Sequence, residues 1–248
     1  MLDVSCAGRV ALISGGIRGI GRAVALKLAA AGAKVSLGYR SDSEKAEATL
    51  QELRALGAEA VATGADVSTA EGCTRLHEET VKALGKVDIL INCAGGQDNG
   101  VFMLLEDKQF EQIHAEHVMS VIRLCRLVGN GMLARRWGRI INVSSVASPY
   151  PVVGQSNYAA AKGAIESLTR SLAVEFAKRN VNVNCVSPGL IDTDMAKQAD
   201  VPGYLESQLI KRLGRPDEIA AWMMMLVSNF GDMMTGQVLR IDGGYRLI

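Results

Sequence analysis

Short runs of aliphatic and β-branched residues alternate with longer stretches whose apolar side chains recur at helical spacing, and the alternation holds nearly to the end of the chain. The short runs predict strands at Val10–Ser14, Lys34–Tyr39, Glu59–Thr63, Ile89–Cys93, Arg139–Val143, Asn182–Ser187 and Gln237–Ile241. Between them the spacing predicts helices over Gly19–Ala31, Glu44–Leu56, Glu71–Leu84, Lys108–Arg135, Tyr158–Arg179 and Pro216–Val227. The last begins well: proline's missing N–H costs nothing in a first turn, and Asp217 and Glu218 suit the positive end of the helix dipole. Several strands are apolar throughout, as strands covered by helices on both faces are. The expected class is α/β, a Rossmann-like doubly wound parallel sheet of seven strands with helices on both faces. No linker or repeat breaks the pattern, so residues 1–248 read as a single domain. Only Asp192–Arg215, interrupted by Pro202-Gly203, lacks clear periodicity, and it is a candidate substrate lid or a plain surface connection.

Composition narrows the function. Hydrophobic residues make up 48% of the 248, which excludes a disordered chain. The 27 Lys and Arg against 26 Asp and Glu leave a net charge of +1, so no global field would hold nucleic acid or an anionic membrane. Aromatics at 4% argue against base stacking. Met1–Gly8 shows no signal-peptide pattern, and the longest apolar run, Ile219–Val227, is far short of the roughly 20 residues that span a bilayer. The expectation is a cytoplasmic protein with neither nucleic-acid nor membrane partners. Cys6, Cys73, Cys93, Cys125 and Cys185 are widely spaced, and His77, His114 and His117 form no ligand pattern with them, so no disulfide framework or metal site is expected.

Glycine, at 26 residues, is the excess that composition alone leaves open. The first strand runs into Ser14-Gly15-Gly16-Ile17-Arg18-Gly19-Ile20-Gly21 and then an apolar helix. Glycines there permit a tight turn and close approach of backbone to a pyrophosphate, which a helix N-terminus attracts. Other glycines, such as Gly32 and Gly57, close helices ahead of strands. Asp66-Val67 and Asn92-Cys93-Ala94-Gly95 follow the third and fourth strands, at the edge where doubly wound sheets bind ligands. Ser145 is followed after twelve residues by Tyr158-Ala159-Ala160-Ala161-Lys162. Tyr158 and Lys162 share a helix face, and an ammonium near a phenol favours its anion, which suits proton exchange. Each element alone could be an ordinary turn or a solvated helix face.

Together, in this order and with Ser187-Pro188-Gly189 after them, they resemble the short-chain dehydrogenase/reductase family over essentially the whole chain. The stretches Ile141–Ser145, Asn157–Lys162, Ser187–Met195 and Arg215–Ala220 are most similar to the 3-oxoacyl-(acyl-carrier-protein) reductases. The resemblance implies that Tyr158 donates the proton to a carbonyl, that Lys162 tunes it and binds the nicotinamide ribose, and that Ser145 orients the carbonyl; neighbouring Ser144 is out of register. It implies cofactor contacts at Ser14, Gly15, Ile17, Arg18, Gly19, Ile20 and Gly21, at Asp66 and Val67 for the adenine, and at Asn92, Ala94 and Gly95. It also implies contacts at Pro188, Gly189, Ile191 and Thr193 beside the nicotinamide.

The second strand ends in Tyr39-Arg40-Ser41 where NAD-preferring members carry an acid. Arg40 and Arg18 able to meet one 2′-phosphate argue for NADP(H), with NAD(H) the alternative. His117 falls where the family has a catalytic asparagine, and an imidazole titrating near neutrality could serve the proton relay there. Val174 stands where a carrier-docking arginine is expected, which leaves Arg135, Arg136 and Arg139 as a candidate docking patch. The substrate is then a small molecule or an acyl-carrier-protein-linked 3-oxoacyl thioester of fatty-acid or polyketide synthesis. The rivals are a dehydrogenase of a free alcohol, sugar or steroid ketone, and a catalytically silent nucleotide-binding regulator. The family also implies a homotetramer, in keeping with the apolar tail Tyr245–Ile248, which a monomer would expose or fold back.

Overall fold

The computed structural model describes residues 4–198 and 200–247. Strands β1 (Val10–Ser14), β2 (Lys34–Tyr39), β3 (Ala60–Gly64), β4 (Ile89–Asn92), β5 (Gly138–Val143), β6 (Val181–Pro188) and β7 (Val238–Ile241) form one parallel sheet. Their order is β3-β2-β1-β4-β5-β6-β7. The helices are α1 (Gly19–Ala30), α2 (Ser43–Ala55), α3 (Ala70–Leu84), α4 (Asp107–His114), α5 (Ser120–Arg135), α6 (Ser156–Phe176), α7 (Val201–Glu206) and α8 (Pro216–Val227).

Successive residues of a strand face opposite sides, and the core divides accordingly. Ile13, Leu37, Ile89 and Ile91 pack beneath Leu28 of α1, Leu53 of α2 and Met223 of α8. Leu12 and Leu90 pack against Leu76 of α3, Leu124 of α5 and Ile165 of α6 on the other face. This double cover is why β1, β4, β5 and β6 are buried at every position, and why β1 and β4 read as apolar runs up to their last residue. Gly32 and Gly57, at φ +86 and +80, close α1 and α2 as expected.

Three features differ from or add to the sequence reading. The helix expected over Lys108–Arg135 contains a π-turn at Ala115–Met119, an inserted residue that apolar periodicity does not register. Within 192–215 the structure forms a short 3-10 helix at Asp194–Gln198 and then α7. The ends of that segment are pinned together, Asp192 N donating to Gly214 O at 2.8 Å and Gly214 N to Leu190 O at 3.0 Å. Of the apolar tail, Tyr245 folds back and is only 4% exposed, stacked on Tyr204 with ring centroids 4.3 Å apart. Leu247 remains exposed, and Ile248 lies outside the described residues.

The chain winds one way from β1 to β2 and β3, and the other way from β4 to β7. The crevice at the carboxyl ends of β1 and β4 is therefore the switch point at which such sheets bind ligands.

Candidate active site

The glycine turn after β1 opens onto this crevice. Helix α2 is capped by Asp42, which accepts from Lys45 N at 2.9 Å, and α3 by Thr69, which accepts from Gly72 N at 3.0 Å. Helix α1 has neither a side-chain cap at Arg18 nor an acid in its first turn, so its leading N–H groups stay available to an anion. The backbone there tolerates no side chain. A Cβ on Gly15, at φ +71, would stand 2.9 Å from Ala94 Cα, and one on Gly21 would collide with the Gly15 carbonyl. Thr193 closes the far side, 3.2 Å from where a Gly19 Cβ would be. A donor-rich cradle with no room for side chains fits a pyrophosphate.

Ser14 and Asn92 support this cradle rather than face it. Buried Ser14 Oγ accepts from Cys93 N at 3.2 Å and Ala94 N at 3.3 Å, tying the two loops together. Asn92 Nδ2 donates to Asn142 Oδ1 at 2.8 Å, and Asn142 Nδ2 donates to Thr169 Oγ1 at 2.9 Å. That buried ladder fixes β4, β5 and α6 relative to one another.

Beyond the ends of β2 and β3 lies a cavity of about 520 Å³ lined by Tyr39, Arg40, Ser41, Asp66, Thr69 and Arg75, among others. Asp66, whose Oδ1 is occupied by Ser68 N at 3.0 Å, forms part of the wall, while Val67 packs against the core behind it. Arg75 was not anticipated from the sequence. Its only signal is its place in the second turn of the helix that follows Asp66-Val67. Arg40 reaches away from its own strand, its Nη1 donating to Glu116 Oε1 at 2.9 Å.

On the other side of the crevice β5 delivers Ser145 and the start of α6 delivers Tyr158 and Lys162. Ser145 Oγ accepts from Ala147 N at 3.1 Å, which leaves its proton free to donate. Lys162 is only 5% exposed, and its Nζ donates to Val143 O at 2.8 Å and lies 5.4 Å from the Tyr158 ring centre. Its other two protons and the Tyr158 hydroxyl have no protein partner among the described residues. Ser144, as expected, points away, donating to Glu166 Oε1 at 2.8 Å. After β6, Gly189 N bonds Ile241 O at 2.9 Å and Leu190 N donates to Tyr204 Oη at 3.0 Å. Pro188, Gly189, buried Ile191 and Thr193 thus run from the Ser145 side of the crevice to the glycine turn.

His117 lies beneath the loop after β4 and meets the Tyr158 ring edge-on, with centroids 5.3 Å apart. Burial, reinforced by the Lys162 ammonium, pushes its pKa down to about 3. The imidazole is therefore neutral, donating from Nε2 to Gly96 O at 2.8 Å, with Nδ1 a buried lone pair lacking a partner. This corrects the expectation of a group titrating near neutrality: enclosure removes the water that would stabilise the imidazolium. Nor is Cys93 a nucleophile, since burial pushes its thiol up to about 11. No cluster of metal-ligating side chains occurs among the described residues.

The arginine patch is the second correction. Arg135, Arg136 and Arg139 precede or begin β5 and so lie at the amino edge of the sheet, about 20 Å of strand away from Ser145. Arg139 is 2% exposed and paired with Asp232 at 2.5 Å, and Arg135 donates to Val87 O at 2.6 Å. Val174 is 80% exposed, consistent with a surface position on α6.

The doubly wound sheet, the phosphate cradle and the Ser-Tyr-Lys group beside it define a nucleotide-dependent oxidoreductase. The sequence model of a family described as enoyl-(acyl carrier protein) reductase matches residues 15–246, and the chain belongs to that family, within the short-chain dehydrogenases/reductases. It is 38% identical over 97% of its length to a 3-oxoacyl-[acyl-carrier-protein] reductase of Pseudomonas aeruginosa, covering 98% of that protein. It superposes with a TM-score of 0.90 and 34% identity on a Burkholderia cenocepacia short-chain dehydrogenase solved with NADP, covering 96% of this chain and 98% of that one. L-Sorbose reductase of Gluconobacter frateurii, solved with NADPH and L-sorbose, gives a TM-score of 0.92 at 31% identity, with 100% of both chains covered.

Proposed function

We propose that this protein is an NADPH-dependent ketoreductase that reduces 3-oxoacyl thioesters, working as one catalytic domain over 1–248. The observation that carries the reading is the convergence of Ser145, Tyr158 and Lys162 beside the glycine cradle, each with hydrogen-bonding capacity left unused by the protein. The nicotinamide cofactor supplies the hydride when bound. The chain supplies the rest. The N–H groups of α1 hold the pyrophosphate, and the two unpaired protons of Lys162 suit the ribose hydroxyls. Arg40, which lines the cavity beyond β2 and β3 together with Arg75, takes the 2′-phosphate that distinguishes NADPH. Ser145 and Tyr158 both donate to the carbonyl oxygen, and Tyr158 gives up its proton as the alkoxide forms. Segment 192–215, whose ends are pinned together, is the candidate lid of this reading.

The substrate class is supported by the rim. Val101, Phe102, Met103 and Leu104 are exposed on one loop and Val152 and Val153 on another. The two loops are joined by Gly100 N donating to Gly154 O at 2.9 Å. An apolar border of this kind suits an acyl chain better than a sugar. The relatives that act on 3-oxoacyl-carrier and acetoacetyl-CoA substrates favour the same class. With Arg135, Arg136 and Arg139 at the amino edge of the sheet, and Arg136 alone of the three exposed, this reading assigns docking of an acyl carrier to surfaces nearer the crevice. No described helix is long and apolar enough to cross a membrane. A homotetramer also belongs to this reading, supported by the open edge of β7 and by exposed Trp222, Phe230 and Met233. The test is NADPH oxidation with acetoacetyl-CoA, with an acetoacetyl carrier protein and with a panel of free ketones and ketoses. Thioesters should exceed the free compounds by at least tenfold in kcat/KM; comparable rates with a ketose would overturn the substrate class.

A further inference from the structure

The end of β2 and the loop after β4 lie on opposite sides of β1, about 10 Å apart at the usual strand spacing. One ion pair crosses that gap. Arg40 leaves the end of β2, and its Nη1 meets Glu116 Oε1 at 2.9 Å. Glu116 belongs to the π-turn, and its Oε2 stands 3.5 Å from where a Gly96 Cβ would project. Its Oε1 also accepts from Gln112 Nε2 at 3.3 Å. The carboxylate is thus held from its own helix side, its side chain 12% exposed, whereas that of Arg40 is 63% exposed. The pair lies across the crevice where the adenosine half of a dinucleotide belongs.

We propose that Glu116 is an internal competitor of the cofactor's 2′-phosphate for Arg40 and so a specificity-determining residue that narrows the preference for NADPH over NADH. The proposal rests on the reading of Arg40 given above. In the free enzyme the carboxylate occupies the guanidinium. Binding of NADPH exchanges one ion pair for another: the Arg40–Glu116 contact breaks, an Arg40–phosphate contact forms, and Glu116 is left beside a dianion with, among the described residues, Gln112 alone to serve it. The loss of its partner and the new like-charge repulsion both oppose the 2′-phosphate. NADH brings a neutral 2′-hydroxyl, which needs no exchange and can itself donate to a carboxylate. Arg75, on the opposite wall of the same cavity, supplies a second cation that Glu116 does not engage. Glu116 touches no reacting atom; it acts through Arg40.

The test is direct titration of NADPH and of NADH into the free enzyme, by nucleotide fluorescence or calorimetry, for the wild type, E116Q and R40A. E116Q keeps the side-chain volume and the polar contact with Gln112 while removing the charge. It should tighten NADPH roughly three- to tenfold, the scale expected for relieving one exposed ion pair and one repulsion, and leave NADH within about twofold. Tighter binding is not something a damaged structure would produce. E116A serves as the second variant and should shift the NADPH-to-NADH affinity ratio in the same direction. If R40A weakens NADPH selectively but E116Q leaves the ratio unchanged or lowers it, the competition is refuted and the role of Arg40 stands. If R40A leaves NADPH binding untouched, both fall.

Discussion

The two edges of the sheet carry similar side chains in opposite states. At the amino edge the ring of Trp137 is flanked by the guanidinium groups of Arg9, at 3.7 Å, and Arg139, at 4.7 Å. Arg139 also donates to Gly138 O at 2.8 Å and Asn180 O at 3.2 Å besides its pair with Asp232, and Arg9 and Arg135 share Asp88. Most of the donors there are consumed, the exception being Arg139 Nε, which is buried without a partner among the described residues. At the carboxyl edge the leading N–H groups of α1, two protons of Lys162, the Ser145 proton and the Tyr158 hydroxyl are left over. What marks the functional edge is the convergence of several unspent groups on one crevice, and residue type alone does not reveal it.

Substitutions at the two edges should therefore separate turnover from stability. The largest effect belongs to Tyr158→Phe, which removes the proton donor and keeps the ring against His117. It should lower kcat by roughly 10²–10⁴ with the NADPH affinity and the unfolding midpoint little changed. A loss below tenfold would move the proton donor elsewhere. Arg139→Ala is the converse. It strips two carbonyls of their donor and opens a cavity beside Trp137, at a cost of roughly 2–4 kcal/mol, read by urea denaturation, while KM and kcat hold. A selective rise in KM for a carrier-bound substrate would restore the docking role that its burial denies.

How far this division could be read from the sequence depends on the range of the interaction. The apolar runs of β1 and β4 are local consequences of double cover, and their ends fall within a residue of expectation. Tyr158 and Lys162 are legible as a pair because their i, i+4 spacing puts them on one helix face, whereas the part of Ser145 is implied only by the resemblance of the ordered motifs. Arg40 and Glu116 are 76 residues apart, and only the winding order brings them together. Arg139 opens a strand, where a cation is ordinarily solvated; nothing nearby in sequence announces Asp232, 93 positions on. The π-turn was invisible for a related reason: one inserted residue shifts which face His117 joins without disturbing the apolar pattern enough to show.

His117 tests the comparison most finely, because it sits at the functional edge and yet behaves as a buried structural group. With its pKa held at about 3, against about 6.5 in an unfolded chain, the unfolded state binds a proton that the folded state refuses. Its contribution to stability is then complete above about pH 6.5 and is lost as the pH falls toward 3. Between pH 7 and pH 5 this one group should remove about 2 kcal/mol from the folding free energy. His117→Asn cannot take up that proton, so its stability should fall less over the same interval, by about that difference in parallel denaturation series. Near neutrality both proteins hold an uncharged side chain at this position, and their kcat profiles from pH 6.5 to 8 should have the same shape. Equal slopes of stability against pH would show that the imidazole is solvated, and a wild-type inflection in kcat near neutrality, absent from the variant, would return His117 to the proton path.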